Sequence, residues 1–155
     1  MDKEKVIPYL QNLCVKREYC RSDIRKKALA AFDGDSAEAE RAVEALVEDR
    51  FVDEARYAAA FAREKASLTG WGEAKIRYAL MMKGVAKADI DTGLGEIDAG
   101  AAATKLEKLV TAKSRALQGD PYIKFKLIKY ALSRGYGYEE VSAAVAKALS
   151  FEENQ

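Results

Sequence analysis

The feature that most constrains the fold of this chain is an internal repeat. A shift of 51 residues brings the stretch that begins at Trp71 onto the stretch that begins at Tyr122. The matched pairs keep their chemical character, and they are Trp71 with Tyr122, Lys75 with Lys126, Ile76 with Leu127, Lys83 with Arg134, Gly84 with Gly135, Ile90 with Val141 and Leu94 with Val145. A period near fifty residues indicates stacked helical units that share a continuous core.

The first third of the chain follows the same pattern less closely. Ile24 falls on Ile76 at a shift of 52, and one extra residue near Asp33 is needed before Val43 falls on Leu94. We therefore predict three three-helix repeats, a divergent first over residues 1–52, a second over 53–98 and a third over 99–155. Each unit would be marginally stable alone, so neighbouring units should support one another.

Apolar residues at helical spacing predict nine helices and no strand. The expected helices run from Lys3 to Val15, from Ser22 to Phe32, from Ala37 to Asp49, from Asp53 through Leu68, from Glu73 to Met82, from Lys87 to Ile97, from Ala99 to Leu117, from Tyr122 to Ser133 and from Tyr138 to Leu149, with residues 151–155 as a frayed end. The fourth helix is expected to turn Tyr57, Phe61 and Leu68 inward.

The composition argues against an enzyme and against a metal site. The chain has 0 histidines, and histidine is the commonest general base and metal ligand. Its 2 cysteines, Cys14 and Cys20, are too few for an ordinary structural zinc site, and we expect them to be small buried thiols. No cofactor is implied. No apolar run is long enough to span a bilayer or to form a secretory signal, so a cytoplasmic protein with no membrane contact is expected.

Charge is distributed by helix, although the net charge is only +1. The second helix of each predicted repeat, which we call its middle helix, is basic. Residues Lys16 to Lys27 include six basic and two acidic residues, and Glu73 to Lys83 include three basic and one acidic. Lys124 to Arg134 include four basic residues and no acidic one. The helices that follow them are acidic. Either these are ordinary solvated surfaces, or the stacked units carry a positive stripe that binds a partner.

A DNA-reading motif is also suggested by spacing. Ala131, Gly135 and Val141 are spaced as in helix-turn-helix motifs, which insert the helix after the turn into the major groove. That helix begins with Glu139 and Glu140, which phosphate would repel. Groove reading by this helix is therefore disfavoured, and the glycine is expected to turn one packed helix into the next.

Aromatic residues are interleaved with the basic residues of the middle helices. They are Trp71, Tyr78, Tyr122 and Tyr130. Each of them alone is more often a core residue, but together with the lysines they could stack on the bases of a single strand without reading sequence. Both interpretations remain open at the level of sequence.

The second repeat carries motifs that resemble a known family. RFVDEARYA, from Arg50 to Ala58, is followed in order by Gly70-Trp71-Gly72, Lys75-Ile76, Leu80, Lys83-Gly84-Val85 and Ile90. This order and spacing resemble the best preserved region of the bacterial RecX regulatory proteins. The motif residues are Asp53, Glu54, Arg56, Tyr57, Gly70, Trp71, Gly72 and Gly84.

The chain departs from the family pattern at a few positions. Arg50 stands where the family usually has glycine, and Asp33-Gly34-Asp35 replaces the Lys-Gly helix stop in the first repeat. Gly93 and Gly95 weaken the sixth helix. These departures concern local geometry.

The resemblance implies an all-α protein, an elongated and curved array of three tandem three-helix repeats. It further implies a non-catalytic regulator that lies in the groove of the RecA filament on single-stranded DNA and inhibits or modulates the RecA recombinase and its ATPase activity, by end capping or by insertion along the filament. We expect the protein to be a monomer. Basic contacts to RecA or DNA are expected from Lys75, Arg77, Lys83, Lys124, Lys126, Lys129 and Arg134.

A second hypothesis needs no protein partner. The same residues could form a sequence-tolerant DNA-binding module, which would bind bare single-stranded DNA and lose affinity steeply with salt. With a net charge of +1, we expect direct DNA contact to be weak.

Overall fold

The computed structural model describes the backbone of residues 1–153 and the side chains of residues 1–150. Within this part of the chain there are nine α-helices and no strand, as predicted. The helices are α1 (Lys3–Lys16), α2 (Arg21–Ala31), α3 (Ser36–Glu48), α4 (Glu54–Glu64), α5 (Glu73–Met82), α6 (Lys87–Leu94), α7 (Ala99–Ala116), α8 (Ile123–Ser133) and α9 (Tyr138–Glu153), with a π-helical turn (Lys65–Thr69) after α4. The all-α fold class is confirmed.

Aspartates begin three of these helices by capping them. The side chain of Asp35 accepts a 3.2 Å hydrogen bond from the amide of Glu38, and Asp98 accepts one of 3.0 Å from the amide of Gly100. Asp53 accepts one of 3.0 Å from the amide of Arg56. Such caps satisfy amides that a helix leaves unpaired at its first turn.

Left-handed residues end several helices. Gly84 after α5 has a φ of 80° and Gly135 after α8 has a φ of 96°. The equivalent helices of the two repeats therefore end in the same way, at a left-handed glycine. Arg50 after α3 has a φ of 62°, a conformation that favours glycine. Arg50, where the family usually has glycine, therefore adopts a backbone conformation that glycine would adopt with less strain.

Most predicted helix boundaries agree with the structure to within one residue, but the ends of α6 and α9 differ by three or more. α6 ends at Leu94 rather than Ile97. α9 continues to Glu153, so the predicted frayed end is wrong for its first three residues, and residues 154 and 155 lie outside the described part of the chain.

The prediction that Leu68 turns inward is wrong. Its side chain is 79% exposed, whereas Tyr57, on the same predicted stripe, is 6% exposed. Leu68 lies in the π-helical turn, where the wider turn breaks the 3.6-residue spacing on which the prediction depended. Gly70, with a φ of 71°, then ends the turn.

The described chain forms two compact units. The first comprises Met1–Ala60 and Leu80–Gly93. Its core packs apolar residues of α1, α2 and α3, including the fully buried Leu10 and Ile24. Cys14 and Cys20 are both buried and free, as expected.

The second unit comprises Phe61–Ala79 and the chain from Leu94 onward. Its core joins α7, α8 and α9 through Leu106, Val110, Leu127 and Val141. Ile76 and Leu127, which the 51-residue shift pairs, are both fully buried in this unit. The boundaries of the three repeats, at residues 52 and 98, stay a prediction.

Candidate interface on the middle helices

The start of α5 and the end of α8 are joined through their backbones, a contact we call the α5–α8 joint. The amide of Gly72 donates a 2.7 Å hydrogen bond to the carbonyl of Arg134, and the amide of Ala74 donates one of 3.1 Å to the carbonyl of Gly135. The guanidinium of Arg134 in turn donates a 2.9 Å hydrogen bond to the carbonyl of Thr69. Unpaired amides at one helix start thus satisfy unpaired carbonyls at another helix end.

A related contact joins the start of α2 to the end of α5, which we call the α2–α5 joint. The hydroxyl of Ser22 donates a 2.8 Å hydrogen bond to the carbonyl of Lys83. The ammonium of Lys83 lies 3.0 and 3.1 Å from the two carboxylate oxygens of Asp23. Here side chains of the helix start make the contact that backbone amides make in the α5–α8 joint.

The two joints follow the sequence repeat. Lys83 and Arg134 are matched by the 51-residue shift, and each directs its own cation back to the start of another middle helix. Both residues were predicted as contacts to RecA or DNA. In the structure their charged groups are engaged within the protein, and any contact with a partner stays a prediction.

Trp71 lies in a cluster of cations rather than on an open surface. The ammonium groups of Lys65 and Lys75 lie 4.9 and 4.7 Å from the centre of its ring, and Phe61 meets it edge-on with centroids 6.4 Å apart. Cations over a tryptophan face are held by its ring quadrupole. The candidate Lys75 is therefore committed to Trp71. Arg77, the remaining candidate on α5, lies 3.4 Å from Glu73.

In contrast to the candidates on α5 and in the two joints, one face of α8 is largely exposed to solvent, and we call it the outer face of α8. This face comprises Tyr122, Phe125, Lys129 and Leu132, which recur at the spacing of one helical face. We include the flanking lysines Lys124 and Lys126. Tyr122 is 64% exposed and Phe125 is 72% exposed. Lys124, Lys126 and Lys129 are also exposed, and α8 contains no acidic residue.

The lysines of this face differ in their partners. Lys126 pairs with Asp120, which also accepts a 2.8 Å hydrogen bond from the amide of Tyr122. These two contacts hold the pKa of Asp120 below its ordinary value, with the bond from Lys126 the larger cause. Within the described residues, Lys124 and Lys129 have no ion-pair partner. Of the seven predicted candidates, these two are the ones left most available.

The sequence prediction missed Phe125. The signal was present in the sequence. Phe125 is three residues from Tyr122 and four from Lys129, a spacing that places all three side chains on one face of the predicted helix. The expectation that an aromatic residue alone is usually buried is wrong for Tyr78 and Tyr122, both 64% exposed. Tyr130 is partly buried, with the cations of Lys113 and Arg134 lying 5.2 and 5.3 Å from its ring centre.

The remaining family motif organises the turn before α4. Arg56 pairs with Glu18 and donates hydrogen bonds of 3.0 and 3.3 Å to the carbonyls of Arg50 and Phe51. A guanidinium with donors in a fixed fork can serve all three groups at once. Tyr57 is 6% exposed, and burial raises the pKa of its hydroxyl. These two residues therefore have structural roles.

Glu54 has a carboxylate that is only partly satisfied. Its Oε2 atom is buried with no hydrogen-bond partner. Burial raises the pKa of Glu54 above 4.5, and the backbone amide and charge of Arg21 oppose the rise, while Asp89 and Asp23 add to it. The first turn of α4 thus carries a carboxyl group whose charged form is disfavoured.

The described residues contain no group of three or more His, Cys, Asp or Glu side chains that could hold a metal ion. None of the described helices combines the length and the apolar character that crossing a membrane would require.

The fold and these joints define a class, an all-helical protein of three-helix units with basic middle helices. The family model of the RecX second three-helix domain matches residues 53–94. The chain is 31% identical to the regulatory protein RecX of Haemophilus ducreyi, over 92% of this chain and 91% of that relative. The chain therefore belongs to the RecX family of regulatory proteins.

Other relatives are longer than this chain. The regulatory protein RecX of Clostridium botulinum strain Eklund 17B is 37% identical over 82% of this chain, and the match spans 60% of that relative. The crystal structure of RecX from Lactobacillus salivarius superimposes with a TM-score of 0.80, covering 95% of this chain and 96% of that one. At 17% identity, this likeness concerns the fold.

Proposed function

We propose that this protein binds the RecA filament on single-stranded DNA, as a monomer, and inhibits its ATPase and strand-exchange activities. The observation that carries the proposal is the outer face of α8, on which exposed lysines occur without any acidic residue on the same helix. Membership of the RecX family supports RecA as the partner.

The distribution of charge supports a local interface on α8. With a net charge of +1, the whole protein attracts a polyanion only weakly. A helix with three exposed lysines and no carboxylate concentrates positive potential at one surface. A filament that presents both protein and a phosphate backbone offers such a surface two kinds of contact.

The seven candidates divide into three groups under this proposal. Lys124, Lys126 and Lys129 are contact residues on the open face of α8. Lys83 and Arg134 hold the joints between helices, so their loss would act through the shape of the protein. Lys75 and Arg77 have partners on or beside α5 and are expected to contribute less than the lysines of α8.

RecA-dependent ATP hydrolysis on single-stranded DNA tests the proposal. Purified protein should slow hydrolysis at amounts well below one molecule per RecA monomer. The double substitution Lys124→Glu and Lys129→Glu should abolish most of this inhibition while leaving the helical circular dichroism unchanged. The matched control is Lys5→Glu with Lys108→Glu, which changes the net charge equally at exposed positions of other helices.

Two results would contradict the proposal. One is the absence of inhibition over a wide concentration series of the wild-type protein. The other is equal loss of inhibition in both double variants, since this would mean that net charge rather than the α8 face is responsible.

A DNA-binding module that needs no protein partner is the second candidate, and the open aromatic rings beside the α8 lysines favour it. It differs from the first in one measurement. Under this alternative, inhibition of RecA would be overcome by excess single-stranded DNA and would disappear together with DNA binding as salt is raised. Inhibition that persists at salt concentrations where bare DNA is released requires a direct contact with RecA.

A further inference from the structure

We infer that the outer face of α8 is a stacking platform for a single-stranded polynucleotide, on which Tyr122 and Phe125 contact bases while Lys124 and Lys129 contact phosphates. This deepens the proposed function, on which it rests for the choice of a nucleic-acid ligand. It adds two aromatic residues to the interface and a preference for single strands over duplex.

The first argument is the exposure of the two rings. At 64% and 72% exposure, Tyr122 and Phe125 each leave a large apolar surface in water. They are three residues apart, so their Cα atoms differ by about 4.5 Å along the helix axis. Consecutive rings at such a spacing can each receive a base, because every base has a flat apolar surface.

The second argument is the contrast with three other aromatic residues of this unit, Trp71, Tyr130 and Tyr136. Trp71 and Tyr130 each have two cations near the ring, and Tyr136 is buried at 6% exposure. Tyr122 occupies the position equivalent to Trp71 in the repeat, yet within the described residues no cation lies over its ring. The equivalent ring is therefore covered in the second repeat and open in the third.

The third argument concerns the partner. Lysine is depleted from the cores of protein interfaces, where its desolvation is costly. The outer face of α8 instead has Lys129 in the middle of its apolar stripe and Lys124 beside it. Aromatic rings interleaved with unpaired lysines are what single-stranded nucleic acid requires, whereas the bases of a duplex are already stacked and covered. These observations favour a single strand over an acidic protein segment.

Fluorescence anisotropy with a labelled thymidine oligonucleotide, in low salt and without RecA, tests the inference. The wild-type protein should bind the single strand more tightly than a duplex of equal length. Phe125→Ala should weaken single-strand binding about 5- to 140-fold, the effect of losing one stacked base. Its duplex binding should change less than twofold. Lys124→Gln should weaken binding to both forms and reduce the salt dependence.

Tyr138→Ala is the matched control. Tyr138 is 63% exposed, nearly as much as Tyr122, but it stands beside Glu139 and Glu140. Its removal should leave single-strand binding unchanged. Because both Phe125 and Tyr138 are exposed, neither substitution should unfold the protein, and circular dichroism would verify this.

Three outcomes would overturn the inference. The wild type could fail to bind the oligonucleotide, Phe125→Ala could weaken single-strand and duplex binding equally, or a polyglutamate peptide could bind as tightly as the oligonucleotide and lose affinity on Phe125→Ala. The last result would identify the face as a protein-docking surface. RecA inhibition by the same variants is measured separately, so the inference can fail while the proposed function stands, and the reverse.

Discussion

Gly72 and Gly135 are in direct backbone contact. A Cβ atom added to Gly72 would lie 2.5 Å from the carbonyl carbon and oxygen of Gly135, closer than any side chain can be accommodated without movement. The amide of Gly72 also donates a 2.7 Å hydrogen bond to Arg134, the residue before Gly135. The Gly-Trp-Gly motif and the Arg-Gly helix stop are therefore two halves of one contact, although they lie far apart in sequence.

This contact places the carbonyl end of α8 against the amide start of α5. The partial negative charge at the end of one helix then meets the partial positive charge at the start of the other, which is the favourable arrangement of two helix dipoles. Only residues without side chains allow the two backbones to approach this closely. The glycines are needed for the approach as well as for their conformation.

Substitution of Gly135 by alanine should separate these two requirements when it is compared with Gly84→Ala. Both residues have a left-handed φ, 96° and 80°, so both variants incur about 1–2 kcal/mol of backbone strain. An added Cβ meets nothing within 4 Å at Gly84, but at Gly135 it would lie 2.4 Å from the Cβ of Lys75. We expect Gly135→Ala to lower the free energy of unfolding by about 1–3 kcal/mol more than Gly84→Ala, as overpacking does.

Urea denaturation followed by circular dichroism measures both free energies. Equal losses in the two variants would mean that the α5–α8 joint does not depend on close backbone approach. The Gly84→Ala variant itself serves as the control for strain.

Replacing Arg50 by glycine should stabilise the protein. Arg50 has a φ of 62°, and the left-handed conformation costs a residue with a side chain about 1–2 kcal/mol. Its carbonyl accepts the bond from Arg56, so the backbone contact is kept in the variant. We expect Arg50→Gly to raise the free energy of unfolding by about 1 kcal/mol, less than the full strain because glycine is also freer when unfolded.

Arg50→Ala is the control for this variant, because it removes the same charge and keeps the strain. It should leave the stability near that of the wild type. A gain as large in Arg50→Ala as in Arg50→Gly would assign the effect to charge instead of conformation. Thermal unfolding monitored by circular dichroism at one fixed pH is sufficient to distinguish them.

The sequence was most informative where a local rule decides the structure. The helix start at Asp53 and the helix stops at Gly84 and Gly135 follow from the chemistry of capping and of left-handed residues, and they were predicted. The pairing of Ile76 with Leu127 as buried residues follows from the repeat. For the caps and stops the outcome depends on the residue itself or on neighbours within one helical turn, and for Ile76 and Leu127 it depends on a pattern that the sequence shows twice.

The sequence was least informative where a contact joins distant segments. The repeat shows that Lys83 and Arg134 are equivalent, but it cannot show that both cations turn inward to Asp23 and to the carbonyl of Thr69. Leu68 was misjudged because a π-helical turn changes the helical phase. The exposure of Phe125 likewise depends on which face of α8 the core of its unit covers.

The hydroxyl of Ser22 should contribute measurably to the α2–α5 joint. It donates a 2.8 Å hydrogen bond to the carbonyl of Lys83 in a partly buried setting. Ser22→Ala would leave that carbonyl without this donor, and we expect a loss of about 1 kcal/mol in the free energy of unfolding. Ser67→Ala is the matched control, since Ser67 also donates to a carbonyl, that of Arg63, but within one helical segment and in an exposed position.

Denaturant titration of both serine variants gives the comparison. Losses of the same size would show that the α2–α5 joint adds nothing beyond a local hydrogen bond. A loss in Ser22→Ala that disappears when Lys83 is also changed to methionine would assign the effect to the Asp23–Lys83 ion pair.

Glu54 should make the stability of the protein fall as pH rises above about 4.5. Burial raises the pKa of its carboxyl group in the folded state above the ordinary value of 4.5. Below 4.5 the group is protonated in both the folded and the unfolded states, so it contributes no penalty. Above the folded-state pKa it is ionised in both, and the full cost of the buried charge is present.

Glu54→Gln removes this dependence while keeping an acceptor for the amide of Arg21. Between pH 4 and pH 7 the free energy of unfolding of the wild type should fall relative to that of Glu54→Gln, with a slope no steeper than about 1.4 kcal/mol per pH unit, the value for one whole proton. Glu64→Gln, at an exposed position of the same helix, controls for the loss of one carboxylate. Parallel curves for wild type and Glu54→Gln would contradict the assignment, because the carboxyl group would then be equally easy to ionise in both states.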